Sequence, residues 1–457
     1  MELQPAVPAA QVLSRRQRAV AGLCLVLLAL GLALAAEATV VTLLLLAVGF
    51  SVAASVHGLV LSYRGRSWTP AQPAGTLGED ELPVYTILVP LMREAGVVRD
   101  LLSALDRLDY PREKLDVKLL LEEDDRRTIE AVEAARPAAH VELVVVTPEG
   151  PRTKPKACNE GLRRARGELV AIYDAEDRPE REQLRRAAAA FADAPPDVGC
   201  YQAKLDFWNP AQNLLTKWFT AEFAWVFDLY RRGLERAGAA ITLSGTSNHF
   251  PVERLRKLGG WDPFNVTEDA DLGIRLARAG YRTKFLDSTT YEEANCRLGN
   301  WLRQRSRWSK GFAQTWLVHM RQPLRLWRDL GPRGWLHFQF AVLGYLVVAL
   351  VNPLYCGLVA LWVCTATGLA PEILPPPVLA AAAGALVLQN AVLTGLNVAG
   401  LRRRGYRALQ RYTLLSPIYL LLIAAAAWRG VLQLFTRPSY WEKTAHGLAG
   451  TPARDSA

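Results

Sequence analysis

Two apolar runs of bilayer-spanning length lie back to back near the start of the chain, Val20–Ala36 and Ala38–Leu61, separated only by Glu37. About 20 predominantly apolar residues suffice for a helix to cross a hydrocarbon core. The two runs therefore predict a helical hairpin in a membrane. A cleaved leader is the competing reading of the first run, but no small-residue cleavage site is convincing and a second run follows at once. Arg15, Arg16 and Arg18 precede the pair and Arg64 and Arg66 follow it, so the positive-inside bias places both ends in the cytosol. Three more apolar segments follow: Phe338–Leu369, Val378–Ala399 and Tyr412–Trp428. The first is long enough for one tilted span or for a hairpin near Asn352-Pro353. A single crossing keeps Arg402, Arg403 and Arg404 cytosolic, so five crossings are expected, with six as the alternative.

Composition agrees, since 51% of the 457 residues are hydrophobic, too many for an ordinary soluble protein of this size. The net charge of +10 is unevenly spread. Trp301–Trp335 carries eight Lys or Arg against one Asp, and Leu401–Arg411 five Arg and no acid. Basic, Trp-bearing stretches beside spans suit an anionic inner leaflet, which excludes nucleic acid as the partner this charge serves. Six scattered cysteines form no CxxC pair, so they read as reduced packing residues rather than a zinc site or disulfide framework. These signals divide the chain into a transmembrane hairpin (1–66), a Pro- and Gly-bearing linker (67–82), a cytosolic domain (83–311), an interfacial helix region (312–335), C-terminal transmembrane helices (336–436) and a short polar tail (437–457).

Within the polar middle, Val84–Val89, Val117–Leu121, Val141–Val146 and Leu169–Tyr173 are short, mostly apolar, β-branched runs separated by helical stretches such as Val97–Leu108 and Arg126–Ala135. That alternation predicts a Rossmann-like α/β domain with a parallel sheet covered on both faces. Ligands of such sheets bind beyond the carboxyl ends of the strands, and Asp174 lies just past the last of these runs. Asn213–Leu234 has aromatic and aliphatic residues at helical spacing; it suits a core helix or one at the membrane interface, and its Trp and Tyr content favours the interface.

Three polar clusters follow in order. Asp174 and Glu176, one residue apart at a strand end, can point two carboxylates at one hard cation such as Mg²⁺ or Mn²⁺ bridging a diphosphate; the bland alternative is a solvated acidic turn, with Asp177 a spare ligand. Glu268 and Asp269 stand at the start of a helix expected over Asp271–Ala279 and ended by Gly280. They either complement the helix dipole or supply a base for a sugar hydroxyl, in which case Asp269 is the choice. In Gln304–Trp308, Arg307 can hold phosphate oxygens and Trp308 offers a platform for a pyranose ring, whereas Arg303, Arg305, Arg321 and Arg325 read as an interfacial basic face. Lys154 and Lys156 are each candidates to meet a diphosphate.

Taken together these motifs resemble the processive family 2 glycosyltransferases of the cellulose, hyaluronan and chitin synthase type, over residues from about Pro83 to Trp308 and more loosely over the flanking spans. The resemblance implies a GT-A fold between transmembrane helices, a UDP-sugar donor with UDP-glucose ahead of UDP-N-acetylglucosamine, Mg²⁺ or Mn²⁺, inversion at the anomeric carbon, and a growing polysaccharide acceptor extruded through the same chain. It implies a bacterial-type inner or plasma membrane location with the catalytic domain cytosolic, and leaves room for export partner proteins. The metal motif falls on Asp174 and Glu176, the catalytic acidic motif on Glu268 and Asp269, and the Gln-Arg-Trp motif on Gln304, Arg307 and Trp308. Donor-binding positions fall on Pro90, Glu94, Glu122, Glu123 and Lys156 besides Asp174 and Arg307, and the acceptor loop on Ser244 and Gly245, with Gln304 and Trp308. Three positions depart from the pattern: Glu176 replaces Asp, Glu122-Glu123 stands for the paired Asp of the uridine site, and Ser244 replaces the Cys of cellulose synthases. The stretch after Trp441 is too short for a cyclic-di-GMP-binding domain, so activation of that kind within this chain is not expected. Rival readings are a non-processive transferase making a glycolipid, as ceramide glucosyltransferases do, and an idle membrane subunit that conducts a glycan.

Overall fold

The computed structural model describes residues 8–70 and 75–450. Residues 71–74 of the expected linker, 1–7 of the hairpin segment and 451–457 of the tail lie outside the described residues.

The chain opens with α1 (Arg15–Gly65), started by a Ser14/Gln17 capping box and broken at Ala35 (φ −154°, ψ 63°). A Cβ placed on Gly31 would meet the Thr39 Oγ1 at 2.8 Å. Eight residues of unbroken helix would separate these positions by about 12 Å, so the chain doubles back at Ala35. Both ends of the doubled helix reach the same body of protein: Gln17 donates to the Leu317 carbonyl, and Gly65 crosses Gly233 so closely that a Cβ on either would collide with the other helix's backbone.

The α/β domain follows as β1 (Tyr85–Leu91), α2 (Val98–Asp106), β2 (Leu115–Glu122), α3 (Arg126–Ala135), β3 (Val141–Val146), α4 (Lys154–Arg164), β4 (Leu169–Ile172), β5 (Arg178–Pro179), α5 (Gln183–Ala192), β6 (Val198–Phe207), α6 (Leu214–Trp225), α7 (Arg231–Arg236), β7 (Asn248–Pro251), α8 (Val252–Lys257), α9 (Glu268–Arg278) and β8 (Arg282–Glu292). The eight strands form one sheet in the order β3-β2-β1-β4-β7-β6-β8-β5. The four strands expected from the sequence are its parallel half. Buried along nearly their whole length, β1 and β2 are covered on both faces, which explains their near-continuous apolar runs. The other half is mixed: β7 pairs antiparallel with β4 and β6, and β8 parallel with β6.

Beyond the sheet come α10 (Leu298–His319), α11 (Pro323–Phe338), α12 (Tyr345–Ala366), α13 (Pro376–Arg404) and α14 (Ser416–Thr436). Asn352 and Pro353 lie inside α12, which runs on through them, so this segment makes a single crossing and no hairpin. The Arg cluster at the end of α13 returns to the domain, with Arg404 paired to Asp206 at 2.9 Å and to Asp228.

Two expectations need correcting. The 214–234 segment is not spread on a lipid surface: Trp218, Phe219, Phe223 and Phe227 are buried in a cluster with Trp301, Tyr419 and Ile423 from α10 and α14. The last apolar helix, α14, is long and apolar enough to cross, yet it begins and ends beside the domain. Tyr412 just before it accepts from Trp218 of α6, Gly430 packs on the backbone of Ser306 in α10, and the segment after it lies against the domain's cavity. The geometry supports four crossings rather than five: two from α1, then α12 and α13.

Candidate active site

The carboxyl ends of β1, β2 and β4 open on a cavity of about 420 Å³ that runs from the sheet down to the membrane helices. Pro90, Glu94, Glu122, Asp174, Glu176, Ser244, Gly245, Glu268, Asp269, Gln304, Arg307 and Trp308 all line it. Residues up to 218 positions apart in sequence (Pro90 to Trp308) thus share one chamber. A Cβ on Gly245 would lie 3.6 Å from an Asp269 carboxylate oxygen, 3.9 Å from one of Asp174 and 3.4 Å from the Lys154 ammonium. The two carboxylates and the lysine therefore surround a single point, and Gly245 leaves it free.

Local structure explains the convergence. The backbone turns after β4, where Asp177 accepts from the Asp174 N–H at 2.7 Å and from the Thr246 hydroxyl. Asp177 thus clamps the turn through its Oδ2, while its Oδ1 is buried without a hydrogen-bond partner. Glu268 and Asp269 are the first two residues of α9, so the helix dipole favours their ionised forms. The loop leading into α9 is tied to α10: Gln314 accepts from Val266 N–H at 3.1 Å, Asn265 donates to the Thr315 hydroxyl at 3.0 Å, and Arg307 donates to the Val266 carbonyl at 3.3 Å. A Cβ on Gly311 would fall 2.4 Å from Thr267, so only glycine lets α10 approach this loop. Trp308 stacks on Phe223 (6.3 Å, 25°) with the Arg305 guanidinium 4.6 Å above it.

Several sequence-based assignments change. Lys156 does not line the cavity; its ammonium is engaged by the Thr147 and Glu149 carbonyls. Lys154 takes the inner position, paired with Asp174 and donating to the Gly245 carbonyl at 2.8 Å. Glu122 is buried and faces the cavity whereas Glu123 is exposed, so the acidic site narrows to Glu122. Arg305 is no interfacial cation: it is 1% exposed, held by both Glu222 carboxylate oxygens and by Tyr419 at 2.9 Å.

Other residues at the cavity had no sequence signal. Arg231 reaches Ser244 and faces Asp269, and Glu292 lines the wall near Glu176 and Asp177. The expected polar tail is a strap across the cavity mouth. Trp441 lies 4.4 Å from the Arg307 guanidinium, Lys443 pairs with Glu94, His446 Nδ1 sits 2.7 Å from Glu176, and Glu293 accepts from the N–H groups of Leu448 and Ala449 at 2.9 and 2.8 Å.

Electrostatics separate the carboxylates. Burial pushes Glu268 up to about 8, and the Asp269 charge adds to the rise against Lys154 and Arg307. Burial also raises Asp269, opposed by the Ala270 N–H and by the cations Lys154, Arg307 and Arg231. Burial would raise Glu176, but His446, a backbone N–H and Lys154 together leave this carboxyl below its ordinary value. Burial works against a charged His446, yet Glu176 and Glu94 carry it to about 9. Two carboxylates are the donor type a hard divalent ion takes, and Lys154 at Asp174 and His446 at Glu176 are the cations that such an ion would have to displace. Among the described residues no group of three or more His, Cys, Asp or Glu could hold a metal on its own. Two carboxylates completed by phosphate and water are how Mg²⁺ sites are commonly built.

Residues 169–381 match the family described as glycosyl transferase family group 2. A probable glycosyltransferase, YdaM, of Bacillus subtilis is 28% identical over 256 residues, 54% of this chain and 60% of that protein. The beta-monoglucosyldiacylglycerol synthase of Synechocystis is 28% identical over 289 residues, 61% of this chain and 58% of the relative. A probable glucomannan 4-beta-mannosyltransferase of rice is 26% identical over 255 residues, 54% and 43%. The chain thus spans about half the length of the curated relatives it matches. Among solved structures, the mannosyltransferase PcManGT of Pyrobaculum calidifontis in complex with GDP-Man and Mn²⁺ superposes with a TM-score of 0.55 at 22% identity, covering 86% of this chain and 99% of that one. The fold is GT-A-like: a mixed, Rossmann-like sheet flanked by helices apolar enough to span a membrane.

Proposed function

We propose that the chain, of which residues 169–381 match glycosyl transferase family group 2, is a glycosyltransferase that moves a hexose from a nucleoside-diphosphate sugar to the hydroxyl end of a β-linked glycan, with inversion, on the cytosolic face of a membrane. The observation that carries this reading is the meeting of Asp174, Asp269 and Lys154 around Gly245 in a cavity continuous with the membrane helices. Pro90, Glu94 and Glu122 form the donor end. Lys154 and Arg307 supply positive charge where a diphosphate leaving group gathers negative charge. Mg²⁺ or Mn²⁺, held by Asp174 and Glu176, would supply Lewis-acid neutralisation of that diphosphate. Glu268, with its pKa near 8, keeps its proton at neutral pH and is a poor base. Asp269, faced by three cations, is the carboxylate that takes the acceptor's proton as its oxygen attacks the anomeric carbon opposite the departing phosphate. Trp308, braced by Phe223 and Arg305, offers a flat face to the acceptor ring.

UDP-glucose heads the donor panel on the motif resemblance, and GDP-mannose follows because a structural neighbour binds it. A second reading, transfer to a diacylglycerol-like acceptor, draws on the glucosyldiacylglycerol synthase relative and on the aliphatic Val348, Leu393 and Leu396 in the membrane part of the cavity. Labelled donors offered to purified protein with Mg²⁺, followed by product sizing and linkage-specific digestion, separate polymer from glycolipid. Asp269→Asn is expected to lower incorporation by at least 10³-fold, in keeping with the loss of a base assisted by its surroundings, while donor binding persists. Retained turnover in this variant refutes the base assignment.

A further inference from the structure

Arg231 opens α7 directly after a wide π-helical turn over Val226–Tyr230, and it lines the cavity together with Ser244 and Asp269. Wide turns of this kind often stand at functional sites. The guanidinium lies 4.6 Å from the centre of the Phe227 ring, and its Nη1 donates to the Ser244 hydroxyl. Among the described residues it makes no other hydrogen bond and no ion pair. By contrast Arg232, Arg404 and Arg305 each hold a carboxylate: Asp228 at 3.2 Å, Asp206 at 2.9 Å and both oxygens of Glu222. An arginine presents five N–H groups in a planar fork. With Nη1 given to Ser244, the edge formed by Nε and Nη2 stays open to the cavity, and its two parallel N–H bonds match the two oxygens of a carboxylate.

Charge balance says when that edge needs a ligand. Lys154 is engaged by Asp174 and by the Gly245 carbonyl, and in the proposed reaction Lys154 and Arg307 meet the departing diphosphate. The carboxylate that faces Arg231 is Asp269, which loses its charge when it takes the acceptor's proton. The guanidinium would then stand in a partly desolvated site without a counter-ion at the moment of transfer, which is costly. A carboxylate on a reacting sugar supplies the missing charge. A phosphate would set up to about two negative charges beside Asp269, so a singly charged group is the better match. We propose that Arg231 is the receptor for a carboxylate carried by one of the two sugars that meet at Asp269, so that the chain takes a uronate as donor or as acceptor. The proposal deepens the transferase reading and rests on it for the place where the sugars meet.

The test uses the full chain in lipid nanodiscs with Mg²⁺. In the donor arm UDP-glucuronate is compared with UDP-glucose, and GDP-mannuronate with GDP-mannose, with cellotetraose and mannotetraose as acceptors. In the acceptor arm the neutral donors are offered to the same tetrasaccharides with and without oxidation of the terminal unit to a C6 carboxylate. In at least one arm the wild type is expected to favour the carboxylated substrate in kcat/KM by roughly tenfold or more, the scale of a desolvated charge pair. Arg231→Leu is expected to abolish the preference, and Ser244→Ala, which keeps the cation and takes away only its brace, to reduce it severalfold. The preference is a ratio within one variant, so any general loss from altered surroundings of Asp269 cancels. A wild type that favours the neutral substrate in both arms, or a preference that survives Arg231→Leu, overturns the receptor; should that variant not fold, an unchanged preference in Ser244→Ala does so. Calorimetric binding of the same substrates keeps the two ideas apart. Transfer of neutral sugars with no Arg231-dependent preference retains the transferase and defeats the receptor, whereas Arg231-dependent binding of a carboxylated sugar without any transfer retains the receptor and defeats the transferase reading.

Discussion

Glu268 and Asp269 are neighbours in sequence and share one chamber, yet their surroundings assign them different protonation. Glu268 is 4% exposed and burial raises its pKa from 4.5 to about 8, so the folded state binds a proton that the unfolded state has released across that window. Stability contributed by this group is therefore full below pH 4.5, falls as pH rises, and reaches its minimum above pH 8. Glu268→Gln, which mimics the protonated form, is expected to match the wild-type Tm near pH 4.5 and to exceed it increasingly up to pH 8. A constant Tm difference across that range would falsify the assignment. The same scale shows what sequence could settle about single residues. Which of Lys154 and Lys156 enters the cavity depends on helix phase: two residues along α4 differ by about 200°, so one faces the sheet's edge and the other does not, and nothing in the local sequence fixes that rotation. Glu122 and Glu123 pose the same problem, since the last strand residue and the first turn residue point to opposite sides.

At the scale of elements, α10 works as a rigid bar that carries Gln304, Arg307 and Trp308 and clamps the loop before α9 at the same time. The contact depends on Gly311. Gly311→Ala is expected to cost about 1–3 kcal/mol by overpacking, because its Cβ would meet Thr267 at 2.4 Å and both backbones are fixed by hydrogen bonds. The measurable result is a lowered Tm together with reduced kcat, as Asp269 and Arg307 move apart; a silent substitution would show that the loop gives way freely. The strap after α14 acts on the opposite wall. His446 occupies the Glu176 oxygen that a divalent ion would use, so His446→Gln is expected to lower the Mn²⁺ concentration for half-maximal activity severalfold, and a rise would mean that the imidazole aids metal binding. Secondary structure was legible wherever periodicity was strong: the four parallel strands and α3 lie where the apolar runs placed them. The strap was not legible, because Trp441, Lys443 and His446 follow no period and gain their meaning only from Arg307, Glu94 and Glu176, which are distant in sequence. The burial of α6 was also hidden, since an aromatic helix covered by α10 and α14 has the same composition as one covered by headgroups.

At the scale of the whole molecule, the question is where the chain crosses the bilayer, and hydropathy alone misjudges it at α14. That helix satisfies length and composition, but its first residues follow a loop held by α6 and its last lead at once into a strap that ion-pairs with Glu94 and Glu176 in the domain's cavity. A helix that crossed would carry the strap to the far side of the membrane, away from its partners. Its apolar surface packs instead on α10 and α12, with Trp428 donating to the Leu350 carbonyl of α12 at 3.1 Å. With the doubled α1, α12 and α13 as the crossing segments, the turn at Ala35 and the 367–375 loop emerge on one side, and the domain, the Arg402–Arg404 cluster and the strap lie on the other, as the positive-inside bias favours. Leu369 and Ile373, 81% and 62% exposed, give sites for a test. In whole cells, a membrane-impermeant maleimide is expected to label Leu369→Cys and Ile373→Cys in a background lacking native cysteines, and to label Tyr440→Cys, 51% exposed, only after the membrane is opened. Labelling of Tyr440→Cys from outside would restore a fifth crossing, and it would also remove the strap from the cavity mouth, since one segment cannot occupy both faces of the bilayer.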